Sequence, residues 1–168
     1  MEMNCSTSSL CDYFADLVDV VDPIFQSYGK RTSFCGIITT VKCFENTGLI
    51  EEILAENGSG RVLLIDAGGS RRKAVLEYNM IKKACDNLWE GIVCYGSVRD
   101  VELLSKMDIG IKAVAAIPVL GDGKIEGDVD LPVNFAGVTF LPEDFLYADL
   151  TGVIISPDEL HMSDVVDR

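Results

Sequence analysis

An arginine and an aspartate stand side by side just after an apolar run, and both side chains could bind a small acid or a metal ion. The run is Ile92-Val-Cys-Tyr-Gly96, and Arg99-Asp100 follows it after two residues. Arg can hold a carboxylate with two parallel hydrogen bonds, and Asp can anchor a hydrated divalent cation. In open α/β sheets, ligands bind at the carboxyl ends of the strands. The alternative is structural: Asp100 caps a short helix over 100–106 and Arg99 is a neighbouring surface residue.

A second candidate is the turn Asp66-Ala-Gly-Gly-Ser70, where a short buried strand that begins at Arg61 runs into two glycines. The turn matches neither the dinucleotide-binding fingerprint nor the P-loop. Its backbone amides could still bind an anion at the start of the next helix, predicted over 70–87 with Ser70 as its cap. The structural alternative is a tight turn between strand and helix that binds nothing.

The histidine and cysteine content limits which catalytic mechanisms are possible. The only histidine, His161, lies in a polar tail, which excludes a histidine-ligated zinc site and argues against a nucleophile activated by histidine. The six cysteines form no Cys-x-x-Cys pair and are predicted to be free thiols. Catalysis would therefore use carboxylates, Arg, Lys or a hard metal ion, for which magnesium or manganese is the expected choice.

The formal net charge of −13 limits the classes of molecule that this protein is expected to bind. Phosphates would be repelled by such a surface, so direct binding of nucleic acid is not expected. A basic protein segment or a divalent cation would be attracted. The alternative is that the charge only keeps the protein in solution.

The hydrophobic pattern predicts the elements that position these residues. Helices are expected over 10–17, 46–55, 70–87 and 100–106, and strands over 34–44, 89–95, 111–119, 138–140 and 152–155. A further short strand is expected from Arg61 up to the glycines at 68 and 69. Alternating strands and helices in the middle predict parallel strands, and the strand-rich end predicts antiparallel additions. The fold class is therefore α/β, with a central, mostly parallel sheet and additional antiparallel strands.

The length of 168 residues is typical of one domain, predicted to have flexible ends over 1–8 and 157–168. The N-terminus lacks the pattern of a signal peptide, and no apolar run approaches the roughly 20 residues that cross a bilayer. We therefore expect a soluble, cytoplasmic protein that does not contact a membrane.

Short motifs along nearly the whole chain resemble the family of the regulator of ribonuclease activity A (RraA). They are Val41-Lys-Cys-Phe44, Asn57-Gly-Ser-Gly-Arg-Val62, Gly68-Gly-Ser-Arg-Arg72, Trp89-Glu-Gly91, Asp108-Ile-Gly-Ile111, Ala115-Ala-Ile-Pro118, Val133-Asn134 and Leu146-Tyr-Ala-Asp149. The resemblance implies a single RraA-like domain of swivelling β/β/α type, assembled as a homotrimer. It also implies a protein regulator that inhibits a ribonuclease E-type endoribonuclease of the degradosome. Its contacts would be the basic C-terminal region of the nuclease and a DEAD-box RNA helicase, with no cofactor.

The same resemblance extends to class II aldolases that act on 4-hydroxy-4-methyl-2-oxoglutarate and decarboxylate oxaloacetate. Their signature is Gly, twenty residues, Arg-Asp, two residues and an acidic residue. Arg99 and Asp100 match it, whereas Tyr78 stands at the Gly position and Leu103 at the acidic one. A divalent-metal-dependent enzyme acting on 2-oxo acids is therefore the alternative function. In that scheme Asp100 orders magnesium or manganese, and the substrate is held by Arg99 and by the segment Glu77, Tyr78, Asn79 and Met80.

Overall fold

The computed structural model describes residues 3–165 and confirms the α/β class. Within that range the helices are α1 (Thr7–Tyr13), α2 (Gly48–Leu54), α3 (Tyr78–Asp86), α4 (Val101–Leu104) and a 3₁₀ helix (Met162–Val165). The strands are β1 (Asp19–Val20), β2 (Gln26–Ser27), β3 (Phe34–Lys42), β4 (Arg61–Asp66), β5 (Ala74–Leu76), β6 (Gly91–Val98), β7 (Gly110–Ala116), β8 (Asp128–Val129), β9 (Val133–Phe135), β10 (Val138–Phe140), β11 (Phe145–Ala148) and β12 (Val153–Ser156).

The centre of the large sheet is parallel and carries the candidate site at its carboxyl end. The sheet has the order β1-β12-β11-β3-β4-β6-β7-β2, and β3, β4, β6 and β7 run parallel. Strand β4 shows why the sequences of the central parallel strands are almost wholly apolar. Its alternate residues face opposite sides of the sheet and enter two different cores. Leu63 and Ile65 face the helices α2 and α3, whereas Val62 and Leu64 face the opposite side. Strands covered on both faces read as continuous apolar runs.

The sheet curls so that its two edges approach each other. The edge strands β1 and β2 are separated by residues 21–25 only. The six peptide steps from Val20 to Gln26 reach about 20–22 Å at most. We call residues 21–25 the seam segment, because they cross from one edge of the sheet to the other. The concave side of the sheet holds a core of its own, closed by residues of β9 and β10.

Phe34 fills one end of this concave core. Its ring is buried against Gly91 and Gly110, where an added Cβ would lie 2.2 Å and 2.0 Å from ring atoms. On the same side of β7, the buried Lys112 donates from Nζ to the carbonyl oxygen of Asp149 at 2.5 Å. This end of the curl is therefore held by one aromatic ring and one cross-sheet hydrogen bond.

The helix predicted over 70–87 is wrong in its first half. Residues 74–76 instead form β5, whose Ala74 and Leu76 pair with the end of β6, and α3 begins only at Tyr78. The three residues of β5 are completely buried, so pairing and burial outweigh their helix propensity. Helix α1 is likewise shorter than predicted: it ends at Tyr13, and its cap is Ser6, whose hydroxyl accepts from the amide of Ser9.

Part of each predicted flexible end lies outside the described residues, namely 1–2 and 166–168. Within residues 3–165, the side chains of Thr7 and Leu160 are buried, and the flexibility of the ends stays a prediction. Among the described residues, no helix has the length and apolar character needed to cross a membrane.

Candidate functional site

Arg99 and Asp100 lie directly beyond the carboxyl end of β6, which extends to Val98 rather than ending at Tyr95. The extension follows from pairing with β5, and the Arg99 amide continues it by donating to the Leu76 carbonyl at 3.0 Å. Asp100 then adopts a left-handed conformation, with φ 61° and ψ 33°. Such a conformation is uncommon for residues other than glycine and often occurs at functional sites.

The guanidinium of Arg99 is held by a carboxylate of its own chain. Nε of Arg99 donates to Oε2 of Glu77 at 3.1 Å, and Nη2 donates to the same oxygen. The Glu77 side chain is 16% exposed and that of Arg99 is 31% exposed, so water has limited access to the pair. Arg99 is therefore neither an isolated surface residue nor an open carboxylate receptor.

Asp100 is joined to the first turn of α3. Its Oδ2 accepts the backbone amide of Tyr78 at 3.1 Å. Asp100 occupies the N-cap position of α4, yet its side chain makes no capping hydrogen bond there, so the capping interpretation is wrong. The carboxylate instead ties the Arg99-Asp100 turn to α3.

The segment Glu77–Met80 reaches the same region as Arg99 and Asp100. Tyr78 lacks a positive φ, so at this position the backbone does not require the glycine of the aldolase signature. The amides of Asn79 and Met80, in the first turn of α3, have no acceptor within the helix. The side chain of Met80 is buried in the core, so only its backbone could meet a ligand.

A cleft of about 250 Å³ adjoins this pair of residues. It is lined by Arg99, Asp100, Val101, Ala116, Ile117 and Pro118. Nη1 of Arg99 lies 3.5 Å from the carbonyl oxygen of Pro118, at the edge of the cleft. Leu103, at the position of the missing acidic residue, is 46% exposed. The cleft thus combines one cation and one anion with mostly apolar walls.

The donor set fits only a weakly held metal ion. Among residues 3–165, no three His, Cys, Asp or Glu side chains are grouped so that they could share an ion. Asp100 is the carboxylate that lines the cleft, and one of its oxygens already accepts an amide. Magnesium tolerates such a site, because it keeps several waters and often binds through one or two carboxylates.

The glycine turn after β4 is not an anion cradle. Its amides are used within the fold: Gly68 donates to Oδ1 of Asp66 at 3.0 Å, Gly69 to the Tyr95 carbonyl at 3.0 Å and Ser70 to the Ala67 carbonyl at 3.4 Å. The Ser70 hydroxyl donates to Oε1 of Glu45 at 2.8 Å instead of capping a helix. A helix N-terminus at Ser70 that could receive a carboxylate was therefore a wrong prediction.

The cysteines are free, as predicted, and three of them, Cys35, Cys43 and Cys94, are buried and therefore poor nucleophiles. Burial raises the pKa of the Cys35 thiol to about 11 and that of Cys43 to about 12. It also raises the pKa of Cys94 well above its usual value. Thiols are reactive as thiolates, so these three are structural residues.

Sequence reasoning missed the part that the Glu77 carboxylate plays. Glu77 was predicted to contact substrate, as part of a segment that offers amides. The sequence nonetheless contains one indication that Glu77 lies near the site, because Glu77 directly precedes Tyr78, the position of the signature glycine. The strand β5 that places Glu77 beside Arg99 was itself predicted as helix, so their contact could not be foreseen.

Comparison with known proteins identifies the family. Residues 7–155 match the RraA-like family (Aldolase/RraA). The chain is similar to the RNA-processing inhibitor RraA from Thermus thermophilis, with 36% identity and a TM-score of 0.91 over 95% of this chain and 97% of that one. It is equally similar to a protein from Geobacillus kaustophilus HTA426 described as an S-adenosylmethionine:2-dimethylmenaquinone methyltransferase, with 36% identity and a TM-score of 0.91 over 93% and 97% of the two chains.

A more distant structure shows the same fold. It is RraAS2 from Streptomyces coelicolor, described as an unusual member of the RNase ES inhibitor RraA family, with 20% identity and a TM-score of 0.77 over 97% of this chain and 84% of that one. Proteins of this fold carry different functional descriptions, so the fold alone does not decide the activity. The family match over most of the chain and the similarity to the Thermus inhibitor nevertheless agree: the chain belongs to the RraA-like family.

Proposed function

We propose that this protein is a regulator that binds a ribonuclease E-type endoribonuclease and inhibits it, and so modulates RNA turnover. The observation that carries the proposal is the similarity to the Thermus RNA-processing inhibitor over 95% of the chain. The cleft favours binding over catalysis, because Arg99 is engaged by Glu77 and an exposed leucine stands where the aldolase signature has an acid.

The charge of the chain indicates the chemistry of the partner. With 27 acidic and 14 basic residues, the protein suits a basic protein segment, such as the arginine-rich C-terminal region of a nuclease. We include in the proposal a homotrimer acting in the cytoplasm as part of the degradosome, a DEAD-box RNA helicase as second partner, and no cofactor. Direct contact with nucleic acid is not part of it.

Binding to the basic nuclease segment tests the proposal. We expect the segment to be retained by the immobilised protein, most strongly at low salt, because ionic contacts are screened as salt rises. A scrambled segment of identical composition is the control, and it should bind more weakly if the contact is specific. Absence of binding at low salt would refute the proposal. Inhibition of RNA cleavage by the purified nuclease is the functional readout.

A second candidate is a divalent-metal-dependent aldolase or oxaloacetate decarboxylase acting on 2-oxo acids. The observation that favours it is that Arg99 and Asp100 line one cleft and that Asp100 is joined to the first turn of α3 by the amide of Tyr78. Asp100 would hold magnesium or manganese, and the ion would supply positive charge against the enolate that develops in the reaction. Arg99 would orient the substrate carboxylate, once released from Glu77.

Oxaloacetate turnover distinguishes this candidate from the regulator. The wild type and Asp100→Ala are compared with magnesium and with chelator, and Asp86→Ala, an exposed carboxylate of α3, is the matched control. An enzyme should lose its metal-dependent rate in Asp100→Ala only. Equal rates under all conditions would show that the Arg99-Asp100 pair has no catalytic role.

A further inference from the structure

Glu77 fills the position on Arg99 that a ligand carboxylate would take. Two nitrogens of the guanidinium, Nε and Nη2, donate to one oxygen of Glu77. Arg binds carboxylates through paired donors of this kind. The remaining nitrogen, Nη1, faces the carbonyl oxygen of Pro118 at 3.5 Å. A small acid therefore cannot take the paired donors of Arg99 unless Glu77 moves.

The charges around Arg99 strengthen this exclusion. Glu77 and Asp100 each contribute a negative charge beside the single positive charge of Arg99, so the three side chains together carry a net charge of −1. An incoming carboxylate is attracted by one residue and repelled by two. Neutralising Glu77 would bring the local sum to zero and free the arginine at the same time.

Glu77 does not stabilise α3 as a capping residue. It occupies the N-cap position of α3 with an extended backbone, φ −143° and ψ 175°, and its side chain makes no capping hydrogen bond. Among residues 3–165, the hydrogen bonds that its carboxylate accepts come from Arg99. If that contact is lost, the amino-terminal end of α3 still offers a favourable environment for a carboxylate, because its first amides and the helix dipole attract negative charge.

We propose that Glu77 is the specificity-determining residue of this cleft: an internal carboxylate that competes with small carboxylate ligands for Arg99. The inference shares with the second candidate function only the assumption that Arg99 can receive a carboxylate. It does not depend on turnover, because it concerns the affinity of the cleft.

The probe is pyruvate, a three-carbon 2-oxo acid, with binding followed by isothermal titration calorimetry with magnesium and with chelator. We expect Glu77→Gln, which keeps the shape of the side chain but not its charge, to bind pyruvate at least tenfold more tightly than the wild type. Adding Arg99→Met to that variant should abolish the gain. Asp86→Asn is the matched control, because it also removes one negative charge from an ion pair, the exposed Lys82–Asp86 pair of 2.9 Å. This variant should bind pyruvate like the wild type.

Three results would overturn the proposal. They are wild-type or weaker affinity in Glu77→Gln, an equal gain in Asp86→Asn, and a gain that persists without Arg99. Should Glu77→Gln fail to fold, Glu77→Asp retracts the carboxylate by one methylene and should bind pyruvate more tightly than the wild type; no gain in that variant is equally decisive. The outcome is separable from the enzyme assay, since a gain in affinity supports the proposal even if oxaloacetate is not turned over.

Discussion

Phe34 can occupy the end of the concave core only because two facing positions lack a side chain. A Cβ on Gly91 would lie 2.2 Å from the ring, so Gly91→Ala forces the ring or the strand to shift. Overpacking of this kind lowers the free energy of unfolding by about 1–3 kcal/mol. Phe34→Ala removes the ring from a site that is 2% exposed and leaves a cavity, at a cost of about 3–5 kcal/mol.

The double variant tests whether the stability losses of Phe34→Ala and Gly91→Ala both come from the contact between the Phe34 ring and position 91. Once the ring is absent, the methyl group introduced by Gly91→Ala no longer clashes and fills part of the cavity. We therefore expect Phe34→Ala/Gly91→Ala to lose less stability than the two single losses combined, by about 1–3 kcal/mol. Gly123→Ala is the control, because a Cβ there meets nothing within 4 Å and should be nearly neutral in either background.

Urea unfolding provides the measurement. Circular dichroism and the fluorescence of the single tryptophan, the buried Trp89, report on the same transition. All variants are compared at one protein concentration, because the apparent stability of an assembly depends on concentration. The double variant could instead lose the sum of the two single losses in the free energy of unfolding, within about 0.5 kcal/mol. In that case the Phe34 ring is not the reason why position 91 needs a glycine, and the reasoning fails.

Two further predictions concern titratable groups. Burial tends to raise the pKa of Asp149, but hydrogen bonds from the amide and hydroxyl of Thr7 and from the amides of Thr151 and Gly152 outweigh it and lower the pKa. Asp149 thus contributes stability above its unfolded pKa that is lost as the pH falls through its folded pKa. Asp149→Asn should cost about 1–3 kcal/mol at pH 7 and flatten the loss of stability as the pH falls below about 4, the normal aspartate pKa; a pH dependence of stability parallel to that of the wild type would contradict this. Iodoacetamide at pH 7.5, followed by mass spectrometry, should label the native protein only at its half-buried thiols, Cys5, Cys11 and Cys85. Native labelling of Cys35, Cys43 or Cys94 would refute the assignment of these three as structural.

The strands of the parallel centre could be predicted because their sequences fit only one kind of element. For β4 the predicted short buried strand that begins at Arg61 and runs into two glycines is confirmed, and the observed strand ends at Asp66. An apolar run between two glycine-rich turns has no competing helical pattern. The pair Arg99-Asp100 was predicted at the carboxyl end of a strand for the same reason, and the structure places it there.

Other features depend on distant parts of the chain and could not be predicted locally. Strand β5 has the pattern of a helix until its pairing with β6 is known. The contact between Glu77 and Arg99 follows from that pairing, and so does the hydrogen bond that the Tyr78 amide donates to Asp100. The substitution of Leu103 for an acid was visible in the sequence, but the engagement of Arg99 by an internal carboxylate required the fold.

The seam segment, residues 21–25, has a consequence for how the chain reaches its final state. Its two flanking strands pair with β12 and β7, which lie far away in sequence, so neither can dock until those strands are in place. Such non-local pairings form slowly and late. Before then, both outer strands of the sheet expose unpaired backbone groups that another copy could join. A single cut or insertion within residues 21–25 would therefore threaten the pairing of β1 with β12 and of β2 with β7 at the same time.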